Sequence, residues 1–121
     1  MLINLTNHPS EKWDKFQKET SIRLFGDIVD IPFPVISPEA DEEEVELTVK
    51  EYIDKIMKIP RVSPITVHVM GEMTFTVLIV ERLKEKGIPC IASTTARTVT
   101  ELADGKKISN FHFVRFRKYI C

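Results

Sequence analysis

Apolar and polar positions along this chain fall into two periods, and the switches between them mark the elements. Met1 to Thr6 is a short apolar run closed by a turn-forming Asn7-His8-Pro9-Ser10, the pattern of a buried strand. Ser10 predicts an N-cap for a helix from Glu11 to about Thr20, with Trp13 and Phe16 one turn apart as inward anchors. Gly26 ends that segment. Asp27 to Ile31 is a second strand, and Pro32-Phe33-Pro34 stops it because proline cannot donate to a sheet ladder. Ser37 and Pro38 then suit the cap and first position of a further helix. Val45, Val49, Tyr52, Ile53 and Ile56 fall on one face of it. Asp41 to Glu44 sit at its positive end, and Lys55 and Lys58 at its negative end.

Pro60 to Pro64 is a break, followed by a strand from Ile65 to Met70 that Gly71 halts. Glu72 to Lys86 predicts a helix apolar nearly all round, of the kind sandwiched in the middle of a fold, with Gly87 as its stop. Ile88 to Ala92 is a fourth strand that ends in the hydroxyls of Ser93-Thr94-Thr95. Arg97 to Leu102 and Ile108 to Tyr119 flank Asp104-Gly105, a strong hairpin signal, and Phe111, Phe113 and Phe116 predict a mostly buried second arm. Strand and helix alternate three times before an antiparallel finish. The expected architecture is an α/β, three-layer Rossmann-like domain, mostly parallel, with a C-terminal antiparallel hairpin and helices on both faces.

Composition narrows the function. At 121 residues the chain has the size of one domain, spanning residues 1–121 without an internal repeat or linker. Seventeen Lys plus Arg against eighteen Asp plus Glu argue against coating long nucleic acid by charge alone. No apolar run approaches the roughly 18 residues of a membrane span, and residues 1–5 lack the basic flank of a secretory signal. Cys90 and Cys121 are too few for a disulfide framework or a four-ligand zinc site, and no HxxxH or CxxC spacing occurs. The expectation is a cytoplasmic, reduced protein without membrane, metal or other cofactor.

In an open parallel sheet, ligands bind beyond the carboxyl ends of the strands, near the point where strand order reverses. Residues 6–10, 32–34, 70–74 and 93–97 land on that edge. Together they offer an imidazole, a carboxylate, several hydroxyls and two helix N-termini, a set suited to an anion or nucleotide. His8 is the acid–base candidate, and His68, inside an apolar strand, is expected to be a satisfied interior side chain. Gly71 permits close backbone approach and Thr74 is a ligand candidate. Glu72 either meets a ribose hydroxyl or satisfies the helix dipole. Arg97 can offer phosphate a planar fork. Neither a GxxxxGK[ST] nor a GxGxxG loop is present.

Asn7-His8-Pro9-Ser10 with Trp13 beyond it, and Met70-Gly71-Glu72-Met73-Thr74 leading into an apolar helix, resemble the CRISPR-associated Rossmann-fold (CARF) sensors and their small stand-alone relatives. Glu72 departs from the glycine- and hydroxyl-rich loop of the sensors. The resemblance implies a homodimer binding a cyclic oligoadenylate second messenger of antiviral defence across its twofold axis. It implies ring-nuclease cleavage without metal, a ribose 2′-hydroxyl attacking the adjacent phosphate. On that reading His8 is proton shuttle or phosphate contact and Arg97 stabilises charge. Thr74, Ser93 and Thr94 position the ligand, with Asn7, Ser10, Gly71 and Glu72 lining the site. A non-catalytic sensor or sponge of the same messenger, a flavodoxin-like enzyme acting on a phosphorylated metabolite, and an interaction module built on the phenylalanine-rich hairpin are the alternatives.

Overall fold

The computed structural model describes residues 1–61 and 63–120; Val62, in the break expected at 60–64, and Cys121 lie outside the described residues. The elements are β1 (Leu2–Thr6), a 3-10 turn (Ser10–Lys12), α1 (Lys15–Phe25), β2 (Ile28–Pro32) and α2 (Glu42–Met57). They continue with β3 (Thr66–Val69), α3 (Met73–Glu85), β4 (Cys90–Glu101) and β5 (Lys107–Lys118). One five-stranded sheet has the order β2-β1-β3-β4-β5. All neighbours are parallel except β4 and β5. This is the mostly parallel, Rossmann-like α/β fold with its antiparallel hairpin, and strand order reverses between β1 and β3.

Strand alternation divides the core in two. Ile3, Leu5, Val67 and Val69 point to the face covered by α2 and α3, where Val49, Ile53, Ile56, Phe75, Ile79 and Leu83 meet them in the larger cluster. Leu2 and Ile91 point the other way, toward Trp13, Phe113 and Phe116. The first face is the larger, apolar core, held chiefly by the hydrophobic effect, with Phe33 and Phe75 packed edge-on within it. The second is smaller, aromatic, and shares its sheet surface with Asn4, Thr6 and His68, all buried.

Several boundaries differ from the sequence expectation, each for a local reason. Ser10 does not cap α1, because its N–H and hydroxyl both bind the Asp30 carboxylate, at 3.0 and 2.7 Å. Asp14 caps α1 instead, accepting from Gln17 N at 2.7 Å. Phe16 is 56% exposed, so Trp13 alone is an anchor. Ser37 closes a turn through Ala40 N and Glu39 N, and Asp41 caps α2 by accepting from Glu44 N. α3 is an outer-layer helix rather than a sandwiched one, with Val77 67% exposed. The strand β4 continues through Ser93-Thr94-Thr95, because β-branched residues suit the ladder and the Thr94 hydroxyl bonds both N and O of Arg115. A register shift falls between Thr94 and Thr95. In β5 only Phe113 and Phe116 are buried; Phe111 is 66% exposed, so most of that arm faces out.

Gly71 is required by packing. A Cβ added there would lie 2.4 Å from the Phe33 ring. Phe33 is buried and locked edge-on against Phe75 with centroids 5.0 Å apart. Gly71→Ala is therefore expected to lose about 1–3 kcal/mol in urea unfolding, as overpacked cores do. Adding Phe33→Leu should return part of the loss; an unchanged midpoint for Gly71→Ala would refute the packing account.

Candidate functional site

Beyond the carboxyl ends of β1 and β3, at the crevice where strand order reverses, lies a hollow of about 600 Å³. That is within the roughly 300–1,000 Å³ typical of small-molecule sites. Thr6 ends β1 and Asn7 and His8 come from the turn after it, with Lys12 and Trp13 from the 3-10 segment and its end. Met70 and Gly71 follow β3, Ser93 and Thr95 lie on β4, and Phe111 and Phe113 on β5. A hollow of about 720 Å³ at the other end of the sheet is larger, but brings together Phe25, Ile91, Phe116 and exposed cations without an imidazole.

A hydrogen-bonded chain runs under this hollow. Asn4, 1% exposed in the middle of β1, donates from Nδ2 to Asp30 Oδ1 on β2 and to the carbonyl of His8, both at 2.8 Å. Its Oδ1 receives the Thr6 hydroxyl at 3.0 Å and faces His68 Nδ1 on β3 at 2.9 Å. The register that pairs Asn4 with both Asp30 and His68 places the three side by side on adjacent strands. The Trp13 indole N–H also donates to the His8 carbonyl, at 3.0 Å, which pins the turn that presents the His8 ring.

Electrostatics follow from burial. His68 is 2% exposed, with the rings of Trp13 and Phe116 set edge-on to it at 5.4 and 5.5 Å. Burial, and to a smaller extent the nearby His8 charge, lowers its pKa from the usual 6.5 to about 4, so the ring is neutral near pH 7. Burial pushes the Asp30 carboxyl up, but the bonds from Asn4, the Ser10 hydroxyl and Ser10 N outweigh it and hold the group below its ordinary value. The Thr74 hydroxyl bond holds Glu72 low as well; burial opposes it, and the amides of Phe75 and Thr74 reinforce it.

Of the residues singled out from sequence, Asn7, His8, Gly71 and Ser93 line the hollow together. Ser10 sits behind it on Asp30. Glu72 caps α3, accepting from Thr74 N, Phe75 N and the Thr74 hydroxyl. That carboxylate occupies the helix-start amides that a phosphate would otherwise use, and it engages Thr74 as well. The Thr94 hydroxyl is spent on the β5 ladder. Arg97 lies out on the hairpin, its guanidinium donating to Ser109 Oγ at 2.9 and 3.2 Å. Sequence reasoning passed over Lys12, Gln17 and above all Asn4. The available signal was an amide and an imidazole each centred in an apolar strand. His68 is buried as expected, but only one of its nitrogens is satisfied.

Architecture and hollow together define a small Rossmann-like α/β domain with a polar crevice at its strand-order switch. The chain belongs to the uncharacterized protein MJ1673 family, which it matches over residues 1–117. Searches of curated proteins and of solved structures returned no match. No helix among the described residues is long and apolar enough to cross a membrane. No group of three or more His, Cys, Asp or Glu among them is placed to hold a metal ion.

The His68 shift fixes a pH dependence. An unfolded chain takes up this proton near 6.5, whereas the folded one resists until about 4. Stability from His68 is thus complete above the upper value and falls as pH drops through that window, by up to about 3 kcal/mol. Urea unfolding across the window should show the slope in the wild type and a flatter profile in His68→Phe; identical profiles would contradict a neutral buried ring.

Proposed function

We propose that this protein binds a cyclic oligoadenylate messenger of CRISPR antiviral defence in the β1/β3 hollow and cleaves it without a metal ion. One observation carries the reading. The two stretches that resemble the stand-alone CARF relatives, residues 7–10 with Trp13 and residues 70–74, lie far apart in sequence, yet Asn7, His8, Trp13, Met70 and Gly71 line a single hollow. A ring with internal twofold symmetry suits a homodimer in which each protomer presents the same hollow to half of it.

The chemistry needs positioning and charge compensation more than a strong base. The ribose 2′-oxygen forms a bond to the adjacent phosphorus, the bond from phosphorus to the 5′-oxygen breaks, and the product is linear with a 2′,3′-cyclic phosphate end. His8, exposed at the rim on a turn held by Asn4 and Trp13, takes the 2′-hydroxyl proton and returns one to the departing 5′-oxygen. Lys12 at the same rim meets the charge gathering on phosphate, the role that the sequence pattern suggests for Arg97. Asn7 and Ser93 are placed to hold the ribose-phosphate backbone.

Incubation with cyclic tri-, tetra- and hexa-adenylate in the presence of EDTA should raise the melting temperature with one ring size and yield the cyclic-phosphate product. His8→Ala should lower turnover about 10²–10⁴-fold while retaining the thermal shift. A shift without product would reduce the site to a sensor or sponge. Neither shift nor product with any ring would refute the reading.

A further inference from the structure

The far part of the β4–β5 hairpin stands clear of the sheet. β3 pairs with β4 only at Cys90 and Ile91, whereas β4 and β5 stay paired out to Glu101 and Lys107. Every residue from Thr95 to His112 is exposed. A two-stranded ribbon that no third strand or helix covers is marginal in water. The surface area carries the same message. The chain exposes 8245 Å², whereas a compact monomer of 14.0 kDa exposes about 6,700 Å². The excess of about 1,500 Å² is more than the roughly 800 Å² that each partner buries in a standard interface.

One side of the ribbon is the apolar one. Thr95, Phe111 and Phe113 line the hollow, and strand alternation puts Arg97, Val99 and Glu101 on that same side of β4. Val99 and Phe111 are exposed there. Phe16 of α1, also exposed, extends the strip, its ring centroid 5.7 Å from that of Phe113. Three exposed apolar side chains continuous with a buried aromatic pair have the make-up of an interface core. Between Thr95 and His112 the opposite side offers only Ile108 as a large apolar group. Charge selects the occupant. Arg97 and Lys107 share the strip with Glu101, so it suits a surface bearing both signs and not a polyanion.

We propose that two copies of this chain pack ribbon to ribbon about a twofold axis, through Phe16, Val99 and Phe111. Such a contact is isologous: the same strip serves both protomers, and the pair closes without a free end. Because Thr95 and Phe111 also line the hollow, the partner stands beside its mouth and the two hollows adjoin. The contact does not depend on which ligand the hollow takes.

Sedimentation of the ligand-free protein in reducing buffer tests the interface. The wild type should be a dimer at micromolar concentration. Val99→Thr combined with Phe111→Thr keeps residues suited to a strand and should raise the dissociation constant about 100-fold or more. Ile108→Thr, on the other side of the ribbon, should leave it unchanged. A monomeric or higher-order wild type overturns the proposal. So does a double variant that dimerises like the wild type, or loss of the dimer in Ile108→Thr alone. Should the double variant fail to fold by circular dichroism, Phe16→Gln on the surface of α1 takes its place. It should weaken the dimer about tenfold, and an unchanged constant overturns the proposal. A monomer that associates with DNA would assign the ribbon to a polyanion and overturn it as well. A dimer that binds no cyclic nucleotide removes the proposed function and leaves this interface standing.

Discussion

One amide organises the end of this protein where strand order reverses. Asn4 sits in a strand buried along its whole length, where an unpaired amide would cost roughly 1–3 kcal/mol. Both its donors and its oxygen are engaged, by Asp30, the His8 carbonyl, Thr6 and His68. A buried polar network of this kind adds little net stability over an apolar core, but it admits one arrangement of its members. That arrangement ties three adjacent strands to the turn carrying His8 and fixes the tautomer of the imidazole below it. Replacing Asn4 by leucine would leave a plausible sheet and no defined site.

The rest of the fold divides the labour. The face under α2 and α3 holds the larger hydrophobic cluster, and the opposite face holds the buried polar groups of the strands. The hollow exists because the chain leaves β1 in a 3-10 turn drawn over the sheet edge by Asp30, instead of starting a helix at once. On the β3 side Gly71 lets the turn close over Phe33. Glu72 fills the helix start beside it, which shifts any phosphate contact toward the β1 side, where Lys12 and His8 are found.

Much of this was legible in the sequence. The alternation of strand and helical periods gives the layer order and the hairpin, and the edge rule for parallel sheets brings His8, Gly71 and Ser93 to one place before any coordinates. What was not legible turns on competition between partners. Ser10 and Ser37 look like helix caps, yet Asp14 and Asp41 take those roles because Ser10 is claimed by Asp30 and Ser37 by its own turn. Thr94 and Arg97 look like ligand groups, and the continuation of β4 commits them to cross-strand bonds. Asn4 was hidden by its apolar flanks and His68 read only as an interior side chain, since only the parallel register makes them neighbours.

Under the proposed function, the crevice between β1 and β3 holds a cyclic nucleotide beside Trp13. Trp13 is the sole tryptophan, and it lines that crevice. Titrating its fluorescence with cyclic tetra-adenylate is the most direct measurement. The account predicts a saturable change in intensity that is lost when Lys12 and His8 are both replaced by alanine; an emission spectrum that stays constant up to millimolar ligand would contradict it.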